Sequence, residues 1–202
     1  MDIRGRNATL NIVMGIAINN LKGTVAAFAV LVTFSTSGGA QQADLRDEAE
    51  LLRQLAEATP QQAIGLDRQL QALWSQSGSA SADLLLQRGR DAMERGDIAA
   101  ALDHLTALTD HAPEFAEGWH ARASVFFGLE RFGMAAADLE HALTLNPNNY
   151  QAIYGLGLIF EVLGQPDRAY EAYSRALAIH PHHEEVTNAV NRLKPQIAGK
   201  AL

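Results

Sequence analysis

A histidine-rich stretch near the end of the chain offers the clearest set of potential metal ligands. His180, His182 and His183 belong to the segment His-Pro-His-His-Glu-Glu. Neighbouring imidazoles in a turn can recruit Zn²⁺, but a functional site usually draws three or four ligands from a rigid scaffold. Because these residues fall between two predicted helices, we interpret them as turn residues and predict that the protein holds no metal.

Catalytic motifs give no better candidate. Gly155 and Gly157 form a Gly-Leu-Gly segment, but it lacks the third glycine of a dinucleotide fingerprint and follows no predicted strand. The chain has no cysteine, which excludes disulfides, thiolate metal sites, cysteine nucleophiles and a lipid-modified N-terminal cysteine. No nucleophile elbow, paired-carboxylate motif or helical zinc-protease motif occurs. The sequence therefore predicts a non-catalytic protein without a cofactor, and an enzyme with an unrecognised site is the third choice.

The composition bounds the size of the fold and the class of partner. The 202 residues are 48% hydrophobic and 19% charged, which suits one core rather than two large domains. The formal net charge is -7. The balance is more acidic beyond the first forty residues, because these carry Arg4, Arg6 and Lys22 but only Asp2. Such a chain repels phosphate backbones, so we predict no nucleic-acid partner.

The elements that position these residues follow an internal repeat. Residues 82–115, 116–149 and 150–183 have the same pattern of large and small residues, without gaps between them. Each unit ends close to a proline. The matching places are, in order, Leu85, Trp119 and Ile153; Gly89, Ala123 and Gly157; Ala92, Phe126 and Phe160; Ala101, Ala135 and Ala169; Leu105, Leu139 and Tyr173; and Pro113, Pro147 and Pro181.

The period and these residue types resemble the tetratricopeptide repeat, over about half of the chain. The resemblance implies an all-α fold, an α-solenoid in which each repeat is a helix-turn-helix pair, with small residues where helix axes cross. Three places depart from the pattern. Arg88 and Arg122 stand where leucine is usual, and Glu130 replaces the glycine that separates the two helices of a repeat.

In this family the first helices of successive repeats line a concave groove, so the resemblance also implies a binding surface. Members that clamp acidic C-terminal tails use Lys, Asn and Arg there, and Arg90 alone does not supply such a clamp. We expect an apolar helix or extended peptide from another protein instead. The candidate groove residues are Leu86, Arg90, Met93, His120, Ser124, Phe127, Tyr154, Leu158 and Glu161.

Two alternatives remain for this surface. In the first, Met93 and Phe127 pack only against neighbouring residues or against the N-terminal helices, which leaves no site. In the second, the protein is structural or self-associating, and its groove is filled by its own chain or by a second copy.

The first forty residues predict export. Residues 24–34 are an apolar run preceded by Lys22, and Gly38 and Ala40 occupy the small places of a signal-peptidase site. The run is too short to span a bilayer, so we expect a cleaved signal at residues 1–40, with an uncleaved anchor as the alternative. A start at Met14 gives a signal of ordinary length. The expected location is the bacterial periplasm, with no stable membrane span after cleavage.

The repeats have non-repeat helices on both sides. Helical spacing predicts one helix over residues 43–58 and another over residues 61–75, with Thr59 as a cap, within an N-terminal pair and linker at 41–81. We expect this pair to cover the first repeat. Residues 184–202 predict a solvating C-terminal helix that ends at Pro195, followed by a loose tail. This layout is similar to that of small exported tetratricopeptide proteins of bacteria, which implies an adaptor in the cell envelope.

Overall fold

A computed structural model describes residues 38–198, and within this range the chain forms nine α-helices and no strand. The predicted all-α class is confirmed. None of these helices is both long and apolar enough to cross a membrane. The helices are α1 (Gly38–Glu57), α2 (Pro60–Trp74), α3 (Ala80–Glu94), α4 (Ile98–His111), α5 (Ala116–Gly128), α6 (Phe132–Leu145), α7 (Tyr150–Val162), α8 (Pro166–Ile179) and α9 (Glu184–Ala198).

The three repeats are the helix pairs α3 and α4, α5 and α6, and α7 and α8. Their helices approach closely at small residues, as the repeat pattern predicts. A Cβ atom on Gly89 would lie 2.6 Å from the side chain of Leu105, and one on Gly157 would overlap the ring of Tyr173. The large residue of the second helix thus packs directly on the backbone of the first. These glycines are required by packing.

All three repeats make the same turn between their helices. The second residue after the first helix has a positive φ, 73° at Gly96 and 69° at Gly164, and Glu130 adopts the same conformation with φ 58°. The backbone N–H of the following residue then donates to a carbonyl five residues earlier, as in Arg131 to Phe126 at 2.9 Å. Glu130 therefore keeps the turn without the glycine, at the steric cost of a side chain in left-handed backbone.

Arg122, which stands where leucine is usual in the repeat, forms a buried ion pair. Its guanidinium donates to both carboxylate oxygens of Asp138, at 2.7 and 2.8 Å, and to the hydroxyl of Thr109 at 2.7 Å. Its charged carbon also lies 4.8 Å from the ring centre of Trp119. These residues belong to α4, α5 and α6, so one side chain joins the first repeat to the second.

The N-terminal pair packs against the third repeat and α9, so the prediction that it covers the first repeat is wrong. Leu55 and Leu70 are fully buried in one cluster with Tyr150 and Tyr173. The hydroxyl of Tyr150 donates to Asp67, and the rings of Trp74 and Tyr150 are 5.4 Å apart. The third repeat offers an apolar cluster together with the hydroxyl donor of Tyr150, whereas Leu84 on α3 stays 45% exposed.

The ends of the described chain also differ from the prediction. The helix α9 continues through Pro195 to Ala198, so the predicted stop is wrong. Proline removes one helical hydrogen bond, but Ile197 packs against the core beyond it and holds the last turn. At the other end, α1 begins at Gly38, five residues before the predicted start. The predicted signal otherwise lies outside the described residues, as does the end of the tail.

Candidate functional site

A cavity of about 730 Å³ opens on the side formed by α5 and α7, the first helices of the second and third repeats. These two helices contribute the apolar residues Phe127, Tyr154 and Leu158 to its lining. The helix α2 supplies another wall, with Ala63, Ile64 and Asp67. The turn before α9 closes one end. The N-terminal pair therefore helps to build the cavity.

Five of the nine predicted groove residues line this cavity, namely His120, Ser124, Phe127, Tyr154 and Leu158. They all come from α5 and α7, where the repeat spacing puts them on one face. The other four lie elsewhere. Leu86 is 2% exposed in the core of the first repeat, which corrects its assignment to the groove surface, and Met93 packs against the same core.

Arg90 is neutralised by a neighbouring carboxylate. Its guanidinium donates to Glu117 Oε1 and, at 3.0 Å, to the hydroxyl of Ser75. Glu117 is 5% exposed and also lies 3.2 Å from His120 Nδ1. Burial opposes ionisation of Glu117, but His120 and Arg90 outweigh it and hold the pKa of this carboxyl below its usual range. The positive charge of Arg90 is thus paired with Glu117 within the protein.

Glu161 is engaged in the same way on the third repeat. It accepts a hydrogen bond from Arg192 Nη2 at 3.0 Å and another from the hydroxyl of Tyr173 at 2.7 Å. The hydrogen bond from Arg192 outweighs burial and lowers the pKa of Glu161. Burial and the bonded carboxylate raise the pKa of the Tyr173 hydroxyl. This cluster joins α7, α8 and α9 and lies outside the cavity lining.

The walls of the cavity are aromatic and aliphatic. Phe127 packs edge-on against Phe132 with 5.5 Å between ring centres, and Tyr154 lies 5.6 Å from Tyr173 and 5.5 Å from His183. These contacts hold the rings in place while leaving Phe127 and Tyr154 only partly buried. A partner side chain can therefore meet an ordered apolar surface.

The charged side chains of the cavity lining are carboxylates, and histidines lie beside them. Asp67, Glu184 and Glu185 line it together with four histidines, and its lining includes neither lysine nor arginine. Asp67 accepts from Tyr150, whereas Glu185 is 69% exposed and lies 3.1 Å from His183 Nδ1. The formal charge of the lining is therefore negative.

The histidine turn packs the N-terminal pair against the third repeat. The Nε2–H of His182 donates a hydrogen bond to the carbonyl oxygen of Ala58 at 2.7 Å. His180 is 6% exposed, and burial, together with His183, lowers its pKa. No three potential ligands among the His, Asp and Glu side chains of the described chain are placed to hold a metal ion.

Sequence reasoning missed the contribution of α2. Asp67 comes four residues after Ala63 and three before Leu70, so it shares a face of the helix with these two buried residues. A carboxylate on an otherwise apolar face indicates that it meets a buried donor, which here is Tyr150. The spacing does not indicate which surface carries that donor, so the cavity wall was not predictable from it.

The described helices resemble known proteins. A family model for the tetratricopeptide repeat matches residues 86–132 and 120–184. A TPR repeat-containing protein of Rhizobium etli is 31% identical over 143 residues, which cover 71% of this chain and 70% of that protein. The human RNA polymerase II-associated protein 3 is 28% identical over 60% of this chain, but the match spans only 18% of its length.

A solved structure supports the same assignment. The first TPR of Spaghetti (RPAP3), bound to the HSP90 peptide SRMEEVD, superposes with a TM-score of 0.57 and 28% identity, over 59% of this chain and 95% of that one. The matched residues contain the repeats, and the Rhizobium relative extends the similarity over most of both chains. This chain belongs to the tetratricopeptide repeat family, whose domains are protein-protein interaction modules.

Proposed function

We propose that the protein is a non-catalytic adaptor that binds a helix or extended peptide of another protein in the cavity on α5 and α7. The observation that carries this proposal is an open cavity whose ordered aromatic wall, Phe127 and Tyr154, lies on the first helices of the repeats. Peptide-binding domains commonly combine such an apolar groove with a few polar groups at its edge.

The partner segment differs from an acidic tail. The peptide in the Spaghetti structure, SRMEEVD, carries three carboxylate side chains. In this chain the cavity lining has no lysine or arginine, and Arg90 is paired with Glu117. An acidic tail would meet like charges there, which is unfavourable.

We further propose that this adaptor acts in the bacterial cell envelope. The apolar run at residues 24–34, followed by the small residues Gly38 and Ala40, supports export. Mass spectrometry of the protein from producing cells should give an N-terminus near Gln41, in the periplasmic fraction. An intact N-terminus in the membrane fraction would favour the anchor instead.

Photo-crosslinking tests the binding site directly. A photoreactive residue at Ser124, which is exposed beside the cavity, should capture a partner in cells, whereas one at Glu140 on α6 should not. The change Phe127→Ser should abolish the capture. The change Met134→Ser, at a methionine that is 49% exposed on α6, serves as the matched control and should leave capture intact.

Both variants must keep the helical content of the wild type by circular dichroism. Equal crosslinking from Ser124 and Glu140, or capture that survives Phe127→Ser, would refute binding in the cavity.

A structural or self-associating protein is the second candidate. It is favoured by α2, which already occupies one side of the face that the repeats offer. Sedimentation of the purified full chain separates the two candidates. A dimer in which the crosslinker at Ser124 captures the second copy would favour self-association, whereas a monomer whose crosslinker captures a different protein supports the adaptor.

A further inference from the structure

We infer that the cavity selects a segment in which a lysine or arginine lies beside an apolar side chain. This inference rests on the proposed function, because it names the chemistry of the segment that the same cavity binds.

The first argument is the charge of the lining. Asp67 comes from α2, and Glu184 and Glu185 come from the first turn of α9. Arg192 on α9 is paired with Glu161 and does not line the cavity. Asp67 accepts from Tyr150 and Glu185 lies beside His183, but the lining holds no lysine or arginine, so a cation on the partner would supply a permanent positive charge.

The second argument is that the acidic groups adjoin aromatic rings. Tyr154 lines the cavity together with Glu184 and Glu185, and its ring lies 5.5 Å from that of His183. The long stem of lysine or arginine packs well on such a ring while its charged end reaches a carboxylate. Phe127 and Leu158 then remain for a neighbouring apolar side chain.

The third argument is a buried polar group with no partner. His180 lines the cavity at 6% exposure, and its Nδ1 has no hydrogen-bond partner among the described residues. Buried polar atoms are nearly always hydrogen-bonded in folded proteins. In the tautomer that carries its proton on Nε2, His180 can accept a hydrogen bond from an N–H group of the bound segment once a small ring movement exposes Nδ1.

The net charge favours this occupant over a second copy of the chain. Two chains of charge -7 repel each other, and the carboxylates of one cavity would face another acidic surface. A basic apolar segment is instead attracted from a distance and held at short range by the aromatic wall.

A random dodecapeptide library displayed on phage, selected on the full 202-residue chain, tests the inference. The expected peptides carry lysine or arginine next to leucine, isoleucine or phenylalanine. The best peptide is then labelled, and its affinity is measured by fluorescence anisotropy for two double variants. The cavity variant is Glu184→Gln with Glu185→Gln. The control is Glu140→Gln with Glu171→Gln, which removes the same charge from exposed places on α6 and α8.

The cavity variant should bind about fivefold to thirtyfold more weakly, as expected for two partly screened ion pairs. The control should change the affinity less than twofold. Two results would overturn the inference and leave binding in the cavity standing. One is selection of acidic or uncharged peptides whose binding still depends on Phe127. The other is equal weakening of binding by both double variants. Failure to select any peptide would overturn the proposed function and the inference with it.

Discussion

The buried pair of Arg122 and Asp138 gives the most quantitative prediction. The two side chains are only 14% and 8% exposed, and two direct hydrogen bonds join them. The change Asp138→Ala leaves the guanidinium buried without its counterion, with only the hydroxyl of Thr109 as an acceptor. Breaking a buried pair in this way costs about 3 to 5 kcal/mol. We expect a loss of that size in the free energy of unfolding.

The same structure predicts that removing both partners costs far less. The double variant Arg122→Leu with Asp138→Ala puts the usual residue of the repeat at this place and leaves no unpaired charge. Replacing a buried ion pair by apolar groups is commonly neutral or stabilising. Loss of the contact between Arg122 and the ring of Trp119 lowers the free energy of unfolding by about 0.5 to 1 kcal/mol. The double variant should therefore lie within about 1 kcal/mol of the wild type.

Urea unfolding at pH 7, followed by circular dichroism, measures both free energies. The coupling between the two changes should exceed about 2 kcal/mol, which is far above the error of a double-mutant cycle. If Asp138→Ala costs less than about 1 kcal/mol, or if the two single changes add up to the double, the pair is not the buried bridge between repeats that the structure indicates.

Three further predictions concern stability. Gly157→Ala should cost at least about 2 kcal/mol in thermal or urea unfolding, because the new Cβ overlaps the ring of Tyr173; Gly128→Ala, with open space around it, should be neutral or stabilising. Glu130→Gly should stabilise the protein by about 0.5 to 1 kcal/mol, since it relieves a side chain at φ 58°, and no gain would contradict the strain. The third is a pH dependence. The pKa of Glu117 is lower in the folded protein than in the unfolded chain, so its ionised carboxylate contributes to stability above about pH 4.3, and this contribution is lost as the pH falls through the folded pKa. The variant Glu117→Gln should therefore lose less stability than the wild type on acidification. Equal losses would contradict the assignment.

Much of the repeat architecture could be predicted because each place reports a local requirement. Gly89 and Gly157 recur where only a small residue lets a large one reach the opposite backbone. Gly96 and Gly164 recur where the turn needs a positive φ. The groove places on α5 and α7 follow from the same register, so His120, Ser124, Phe127, Tyr154 and Leu158 share one cavity lining.

Other expectations failed because the pattern was incomplete. Leu86 occupies a groove place by register, but the N-terminal pair packs on the third repeat instead of the first, and this leucine lies in the core formed by α3, α4 and α5. Pro195 indicates a helix stop by local chemistry, yet Ile197 beyond it packs against the core and holds the helix. In both cases contacts from distant parts of the chain outweighed a local preference.

The sequence by itself determined the period, the helix pairs, their turns and the absence of cysteine chemistry, because these depend on residues close together along the chain. Only the tertiary structure decided that α1 and α2 pack on the third repeat and that Asp67 and the histidine turn form a wall of the cavity. An apolar stripe indicates that one face of a helix is buried, but it does not indicate which apolar surface covers that face. The packing against Tyr150 and Tyr173 and the hydrogen bond from Tyr150 to Asp67 together select one surface among several, and that sum exists only in three dimensions.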